Sequence, residues 1–177
     1  MGSYPNPMSD LLRPFLDRWR LCALLVSAAM LAIAHAFQTF GGLAPCELCL
    51  KQRTVYWLAG GFAILAMALV RLSGGPRWRE ATCWALALIF LAGAGIAGYH
   101  AGVEWKFWPG PQSCSGGGAV TAAALKDLLN GGGVKMPACD QPAWKLLGIS
   151  MAGWNTVASL ILVALSASAA LRERSRA

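Results

Sequence analysis

Four long apolar stretches dominate the pattern of hydrophobic and polar positions along this chain. None of them contains an Asp, Glu, Lys or Arg, and each approaches the roughly 20 helical residues that a hydrocarbon core requires. Apolar residues do not alternate with polar ones at every second position, as they would in the strands of a membrane barrel. The pattern therefore predicts an all-α membrane protein, a single domain over residues 1–177 that forms a four-transmembrane-helix bundle with spans at about 21–40, 54–70, 81–99 and 146–171.

Basic residues divide unevenly between the segments that connect these spans. Nine lie in the N-terminal tail, the second connection and the C-terminal tail, whereas only six lie in the other two connections, which together are longer. Lys and Arg accumulate on the cytoplasmic side of membrane proteins. We therefore expect cytoplasmic N- and C-termini, a short outer loop at 41–53, and a long outer loop at 100–145 between helices 3 and 4.

The composition supports a membrane location, because 56% of the residues are apolar and only 13% are charged. The net charge of +7 does not require a nucleic-acid partner. Arginines that flank spans are explained by topology and by attraction to anionic lipid headgroups. Membrane lipid is thus a predicted partner, and nucleic acid is not.

The predicted topology separates the six cysteines into two groups. Cys22 and Cys83 fall at the cytoplasmic ends of spans, where they are interpreted as small buried apolar side chains. The other four cysteines fall on the outer, oxidising side, where two disulfides can form with three possible connectivities. They are Cys46, Cys49, Cys114 and Cys139.

Two of these outer cysteines form a CxxC motif in the stretch PCELCLKQR, residues 45–53. Pro45 suits a first helical position, which predicts Cys46 in the first turn of the second helix, where the helix dipole favours a thiolate by about 0.3 to 2 kcal/mol. Arg53 lies one turn beyond Cys49 on the same face. Its charge contributes roughly 2 to 3 kcal/mol to an anion at about 6 Å. Arg53 is therefore a candidate for stabilising the Cys49 thiolate or a reduced acceptor beside it.

Two other interpretations of the four outer thiols remain open at this point. A metal-binding or metal-transporting membrane protein could use them, although Cys114 and Cys139 lack a second CxxC or CxH pair. His35 and His100 are the only histidines, and neither is spaced as a ligand in the outer loop. The other interpretation is a membrane protein with two purely structural disulfides.

The long outer loop contains two glycine triplets, at 116–118 and 131–133. Glycine triplets permit hinge motion, and two cysteine pairs far apart in sequence can exchange only if one of them moves to the other. The residues between the triplets carry an apolar helical stripe, which predicts either a short helix on the membrane surface at 119–130 or a mobile linker.

Taken together, these features resemble the DsbB disulfide bond formation proteins of bacterial inner membranes. The resemblance covers nearly the whole chain and includes the four spans with both ends inside. Its specific parts are the CxxC followed by Arg53 and the second cysteine pair in the large outer loop. It also includes Phe37 and Gln38 ahead of Pro45, and the stretch from Cys139 through Trp144, Leu147, Gly148 and Met151 to Trp154.

The resemblance implies a quinone-dependent protein-disulfide oxidoreductase that supports disulfide bond formation in secreted proteins. A reduced thioredoxin-fold oxidase of the DsbA type would attack Cys114, and Cys139 would leave and exchange with Cys46. Cys49 would pass the electrons to ubiquinone or menaquinone held near Arg53. An acceptor of this kind is required because a dithiol couple near −120 mV is too oxidising for an ordinary protein disulfide to reoxidise.

One segment departs from the family pattern, residues 99–104 at the outer end of the third span. It does not superpose cleanly on the part that some members of the family place beside the quinone. His100 is nevertheless a candidate quinone contact, with an interfacial histidine as the alternative, and Glu104 is a weaker candidate.

Overall fold

The computed structural model describes residues 13–73, 75–111, 114 and 138–176. Four helices make up most of this part of the chain: α1 (Trp19–Thr39), α2 (Glu47–Ser73), α3 (Pro76–Glu104) and α4 (Met151–Arg174). All four are long and apolar enough to cross a membrane. The predicted fold, an all-α membrane protein with four transmembrane helices, is confirmed.

The helices extend beyond the apolar stretches that predict them. Residues 47–53, assigned from the sequence to the first outer loop, form the first two turns of α2, and residues 100–104 continue α3. The start of the fourth apolar stretch is instead a hairpin of β1 (Lys145–Leu146) and β2 (Ile149–Ser150). The predicted loop helix at 119–130 and both glycine triplets lie outside the described residues.

The hairpin turn brings the chain into α4. Its two central residues, Leu147 and Gly148, have φ values of 53° and 80°, and two consecutive positive φ angles are typical of the tight turns that join antiparallel strands. Gly148 suits this backbone because it has no Cβ. The Ser150 side chain then accepts a hydrogen bond from the Gly153 amide at 3.1 Å, which caps α4.

The helices pack in chain order, α1 on α2, α2 on α3 and α3 on α4, and α3 and α4 share the most extensive contact. The apolar core includes Trp19, Tyr56, Leu86, Phe90 and Leu162. Side chains on the opposite faces remain exposed, as expected for helices that face lipid.

One end of the bundle is fastened by a buried charge cluster. Glu173, at the end of α4, pairs with Arg79 at 2.9 Å and with Arg20 at 3.5 Å. Arg20 also donates to the Thr82 hydroxyl at 3.0 Å. Because Arg20 and Glu173 are only 7% and 4% exposed, each charge depends on its partners.

Replacing Glu173 with alanine is expected to lower the free energy of unfolding by about 3 to 5 kcal/mol, because the buried guanidinium of Arg20 would lose its counter-charge. Unfolding of the purified chain in detergent micelles measures this. Asp17→Ala is the matched control, since Asp17 pairs with Arg172 and Arg176 but is 35% exposed. It should cost under about 1 kcal/mol. Equal losses in the two variants would show that Glu173 is not the fastening residue.

Candidate active site at the CxxC end of the bundle

The CxxC motif lies where the chain enters α2. Cys46 immediately precedes the helix, and its carbonyl oxygen accepts the first helical hydrogen bond, from the Leu50 amide at 3.1 Å. Its sulfur accepts from the Cys49 amide at 3.3 Å. The expectation that Cys46 lies within the first turn is therefore corrected: Cys46 caps the helix, and Cys49 occupies the first turn.

The two CxxC sulfurs lie close together, with a distance of 2.7 Å between Cys46 Sγ and Cys49 Sγ. The shared proton and burial both raise the pKa of Cys46 well above its usual range. Cys49 carries the negative charge more readily, because it accepts the hydrogen bond from the Cys46 thiol, and its place in the first helical turn acts in the same direction. The pair is thus asymmetric, with a protonated Cys46 and a Cys49 suited to be a thiolate.

Arg53 connects α2 to α1 rather than contacting either sulfur directly. It donates to Gln38 Oε1 at 2.5 Å and to the Ala34 carbonyl oxygen at 3.0 Å. The positive charge of Arg53 stabilises a Cys49 thiolate, whereas the negative charge of Glu104 destabilises that thiolate. The structure therefore places Arg53 near Cys49, held in position by α1.

The loop cysteines form the second pair of the site. Cys114 and Cys139 are joined by a disulfide with a Cα–Cα distance of 5.2 Å, which selects one of the three connectivities left open by the sequence. Both pack against Cys46, Leu48 and Val103 in one buried cluster. The two cysteine pairs are therefore brought together although many residues separate them in sequence.

The chain after α3 is folded tightly back over the helix end. A Cβ atom added to Gly102 would lie 2.1 Å from the Trp108 ring, so only glycine permits this approach. The Trp108 ring nitrogen donates to the Tyr99 carbonyl oxygen at 3.0 Å. An ion pair between Lys106 and Asp140 joins the two sides of the loop. These contacts position the loop disulfide beside the CxxC.

His100 lies beside the CxxC rather than at a lipid interface. It is 4% exposed, and its Nε2 atom is 3.7 Å from Cys46 Sγ and 3.8 Å from Glu104 Oε1. The Ser150 hydroxyl donates to the other Glu104 oxygen. Glu104, a weak candidate from the sequence, is therefore a buried member of the site.

Sequence reasoning missed three further buried polar side chains that continue from His100 into the bundle: Gln52, Asn155 and Tyr56. One signal was available, because polar side chains inside membrane spans are costly and often functional. Asn155 is the only amide side chain, and no charged side chain occurs, in the stretch 151–171. Its partners could not be named from the sequence, because they come from other helices.

A cavity of about 440 Å³ opens next to the CxxC. One end is polar and is formed by Cys46, Cys49, Arg53 and His100 among others. The remaining wall is mainly apolar, with Met30, Phe37, Trp144, Met151 and Ala158 among its residues. Phe37 and Trp144 approach each other with ring centroids 5.6 Å apart. The cavity suits a flat apolar molecule with a polar ring.

Alkylation of the reduced chain at neutral pH is expected to modify Cys49 at least about tenfold faster than Cys46, because only thiolates react readily. The pKa of Cys46 is raised, so its modification should increase only as the pH rises above the ordinary thiol range. Mass spectrometry of the modified peptides measures both sites. In a Cys49→Ala control, Cys46 should become more reactive, since the sulfur that raises its pKa is gone. Equal rates in the wild type would contradict the asymmetry.

Comparison with known proteins identifies the family. Residues 17–169 match the family model of disulfide bond formation protein DsbB. The chain belongs to the DsbB family. It is 31% identical to disulfide bond formation protein B of Marinobacter nauticus, over 90% of this chain and 95% of the relative. It is 34% identical to the protein of the same name from Verminephrobacter eiseniae, over 86% and 87% of the two chains. No solved structure matches it significantly.

Membership of the DsbB family establishes the activity in general terms. The chain is a multi-pass membrane thiol oxidase of disulfide bond formation, and its quinone dependence follows from the family. Cys46, Cys49 and His100 offer sulfur and nitrogen atoms within 4.8 Å of one another, a geometry that is also compatible with a metal ion. The comparisons give no support to the alternative of a metal-transport protein.

Proposed function

We propose that this DsbB protein reoxidises a periplasmic, DsbA-type thioredoxin-fold oxidase and passes the electrons to ubiquinone or menaquinone in the cavity beside Cys49. The observation that carries the proposal is the position of Cys46 and Cys49 between the other two parts of the site. Cys46 packs against the loop disulfide, and both cysteines line the cavity.

The proposed order of sulfur exchange is the one that the family resemblance implies, and this placement is compatible with it. A partner thiolate attacks Cys114, which forms a mixed disulfide and releases Cys139. Cys139 then attacks Cys46, and the electron pair of the broken Cys46–Cys49 bond goes to Cys49. Helix position and the Arg53 charge both favour this leaving thiolate, and a thiolate that is easily formed leaves faster. Attack at Cys46 rather than Cys49 also fits the burial, since Cys46 belongs to the buried cluster that contains the loop pair, whereas Cys49 is only partly buried against that cluster.

The residues of the cavity fit a quinone. A quinone accepts two electrons and two protons, which is the number released when two thiols become a disulfide. Arg53 supplies hydrogen-bond donors at the polar end, next to the Cys49 sulfur, and His100 lines the same end. Aromatic and aliphatic side chains of α1, α4 and the segment before β1 exclude water from the other end.

Orientation in the membrane is part of the same proposal. The excess of arginines at the Glu173 end of the bundle favours the cytoplasm for that end and for both termini. The CxxC and the loop disulfide then face the periplasm of the bacterial inner membrane, where disulfides persist and a soluble partner can reach them.

Photolabelling with an azido-substituted quinone tests the cavity. Label is expected on peptides from α1 and α4 that contain cavity residues, and excess unmodified quinone should abolish it. Ala158→Phe fills the cavity and should remove most of the label, whereas Ala164→Phe, at an exposed position of the same helix, should not. Label spread evenly over lipid-facing residues, or unaffected by Ala158→Phe, would overturn the proposed quinone site.

A further inference from the structure

A row of buried hydrogen-bonded side chains leads from His100 into the middle of the bundle. His100 Nδ1 is 2.8 Å from Gln52 Nε2, Gln52 Oε1 is 2.5 Å from Asn155 Nδ2, and Asn155 Oδ1 is 2.5 Å from the Tyr56 hydroxyl. All four side chains are at most 9% exposed, and they come from three helices. The proposed sulfur exchange makes no use of Gln52, Asn155 or Tyr56.

The row has a direction, because each amide presents one donor and one acceptor group. The Tyr56 hydroxyl donates to Asn155, Asn155 Nδ2 donates to Gln52, and Gln52 Nε2 donates to His100 Nδ1. His100 Nδ1 is then an acceptor, so the neutral imidazole carries its proton on Nε2. If both amides were reversed, the proton would lie on Nδ1 instead.

The groups that face His100 Nε2 favour the first direction. Cys46 Sγ already accepts a hydrogen bond from the Cys49 amide, and Glu104 accepts one from Ser150, whose oxygen is in turn occupied by the Gly153 amide. Cys46 Sγ therefore faces Nε2 as an acceptor, as does Glu104 in its ionised form, and the backbone of Cys139 is a further hydrogen-bonding neighbour. A lone pair on Nε2 would be repelled by the Glu104 carboxylate, whereas an N–H group is attracted to it.

We propose that Gln52, Asn155 and Tyr56 are positioning residues that hold His100 in its Nε2–H tautomer, so that His100 donates a hydrogen bond to Cys46 and does not act as a base. The role of this hydrogen bond in sulfur exchange rests on the proposed function, whereas the tautomer of His100 can be measured without a partner or a quinone. A protonated imidazolium would direct a second N–H at the Gln52 amide hydrogens, so the row also keeps His100 neutral.

The donated hydrogen bond acts when the loop disulfide is restored. The partner's second thiolate first closes the partner's own disulfide and releases Cys114 as a thiolate. Cys114 then attacks Cys139 in the Cys46–Cys139 mixed disulfide. The Cys114–Cys139 bond forms, the Cys139–Cys46 bond breaks, and the electron pair remains on Cys46, with no net oxidation and no proton transfer. A buried Cys46 thiolate next to Cys49 is unfavourable, and the His100 Nε2–H group stabilises it as it leaves.

Nitrogen NMR of the full-length chain in detergent micelles, with ¹⁵N-labelled histidine, measures the tautomer directly. The chain has two histidines, and a His35→Gln variant assigns the His100 signals. Couplings between ring nitrogens and ring hydrogens show which nitrogen is protonated. The wild type is expected to carry the His100 proton on Nε2 and to remain neutral down to mildly acidic pH.

Asn155→Asp is the decisive variant, because it lies one side chain away from His100 in the row. A carboxylate cannot donate to Gln52, so the Gln52 amide should turn, accept from His100 and move the proton to Nδ1. Restoration of the loop disulfide should slow by about 10- to 100-fold, as for loss of a hydrogen bond to a charged group. Ser166→Ala, which removes a buried hydroxyl elsewhere on α4, is the matched control and should change neither result.

A wild-type proton on Nδ1, or an unchanged tautomer in folded Asn155→Asp, would overturn the inference. Asn155→Leu replaces Asn155→Asp if the latter does not fold, because leucine interrupts the row of hydrogen bonds without adding a charge. Asn155→Leu should give a mixture of the two His100 tautomers. A single Nε2–H form in that variant would overturn the inference. Neither NMR result depends on a quinone or a partner. Failure of the tautomer experiment is therefore distinguishable from failure of the quinone-linked function.

Discussion

Replacement of Cys49 with serine is expected to reduce electron transfer from a reduced thioredoxin-fold dithiol to quinone by at least about a thousandfold, as for loss of a catalytic nucleophile. A serine hydroxyl cannot form a disulfide with Cys46, so the electrons have no route past the loop pair. Exchange between the partner and the Cys114–Cys139 disulfide should continue, because neither sulfur of that pair is altered.

Quinone absorbance in the absence of oxygen measures electron transfer to quinone, and the free thiols of the partner measure its exchange with the Cys114–Cys139 disulfide. Cys22→Ser is the matched control, since Cys22 lies at the opposite end of α1 from the site and should leave the rate unchanged. A Cys49→Ser protein that still reduced quinone at a comparable rate would exclude Cys49 from the electron path.

Replacement of Cys139 with serine is expected to trap the partner on Cys114. Cys114 would become a free thiol and could join the partner only by a disulfide that no neighbouring Cys139 can resolve. Incubation with a partner that lacks its own second cysteine, and whose remaining cysteine is activated as a mixed disulfide with a small thiol, should therefore accumulate a covalent adduct on Cys114. Turnover of the intact partner should fall by at least about a thousandfold, because exchange with Cys46 is lost.

Non-reducing electrophoresis with mass spectrometry identifies the sulfur that carries the partner. Cys114→Ser supplies the comparison, because the assigned roles predict no adduct at position 114 and no turnover in that variant. An adduct on Cys46 or Cys49 in Cys139→Ser, with Cys114 free, would show that the partner enters the relay by another route.

Hydropathy was sufficient to predict the fold, because a membrane span must satisfy its backbone internally and expose apolar side chains to lipid. The ends of the helices were harder to predict. Residues 47–53 include three charged side chains, Glu47, Lys51 and Arg53, yet they are helical, since side chains at the membrane boundary can face water. Arginines that flank spans, Arg20 and Arg79 among them, were interpreted through topology and lipid headgroups, although the structure also gives these two a buried partner, Glu173.

The contacts and roles of the residues around the cysteines were harder to predict from the sequence than the cysteines themselves. The CxxC motif is local in sequence and can be recognised there, but the pairing of Cys114 with Cys139 depends on how the loop folds back onto α3. His100 was only a candidate, because its closeness to Cys46 arises from the packing of α2 against α3. The row from His100 to Tyr56 requires three helices in register, and no single stretch of sequence contains that information.

The most direct test of the central claim, that this chain moves electrons from a periplasmic dithiol to a membrane quinone, is a stoichiometric one. Purified wild-type chain, a reduced thioredoxin-fold dithiol and an excess of quinone are mixed without oxygen, and quinone absorbance is followed together with free thiols. We expect catalytic turnover in which one quinone is consumed for every two thiols lost. Loss of thiols without loss of quinone, or no reaction with several partners and both types of quinone, would contradict it.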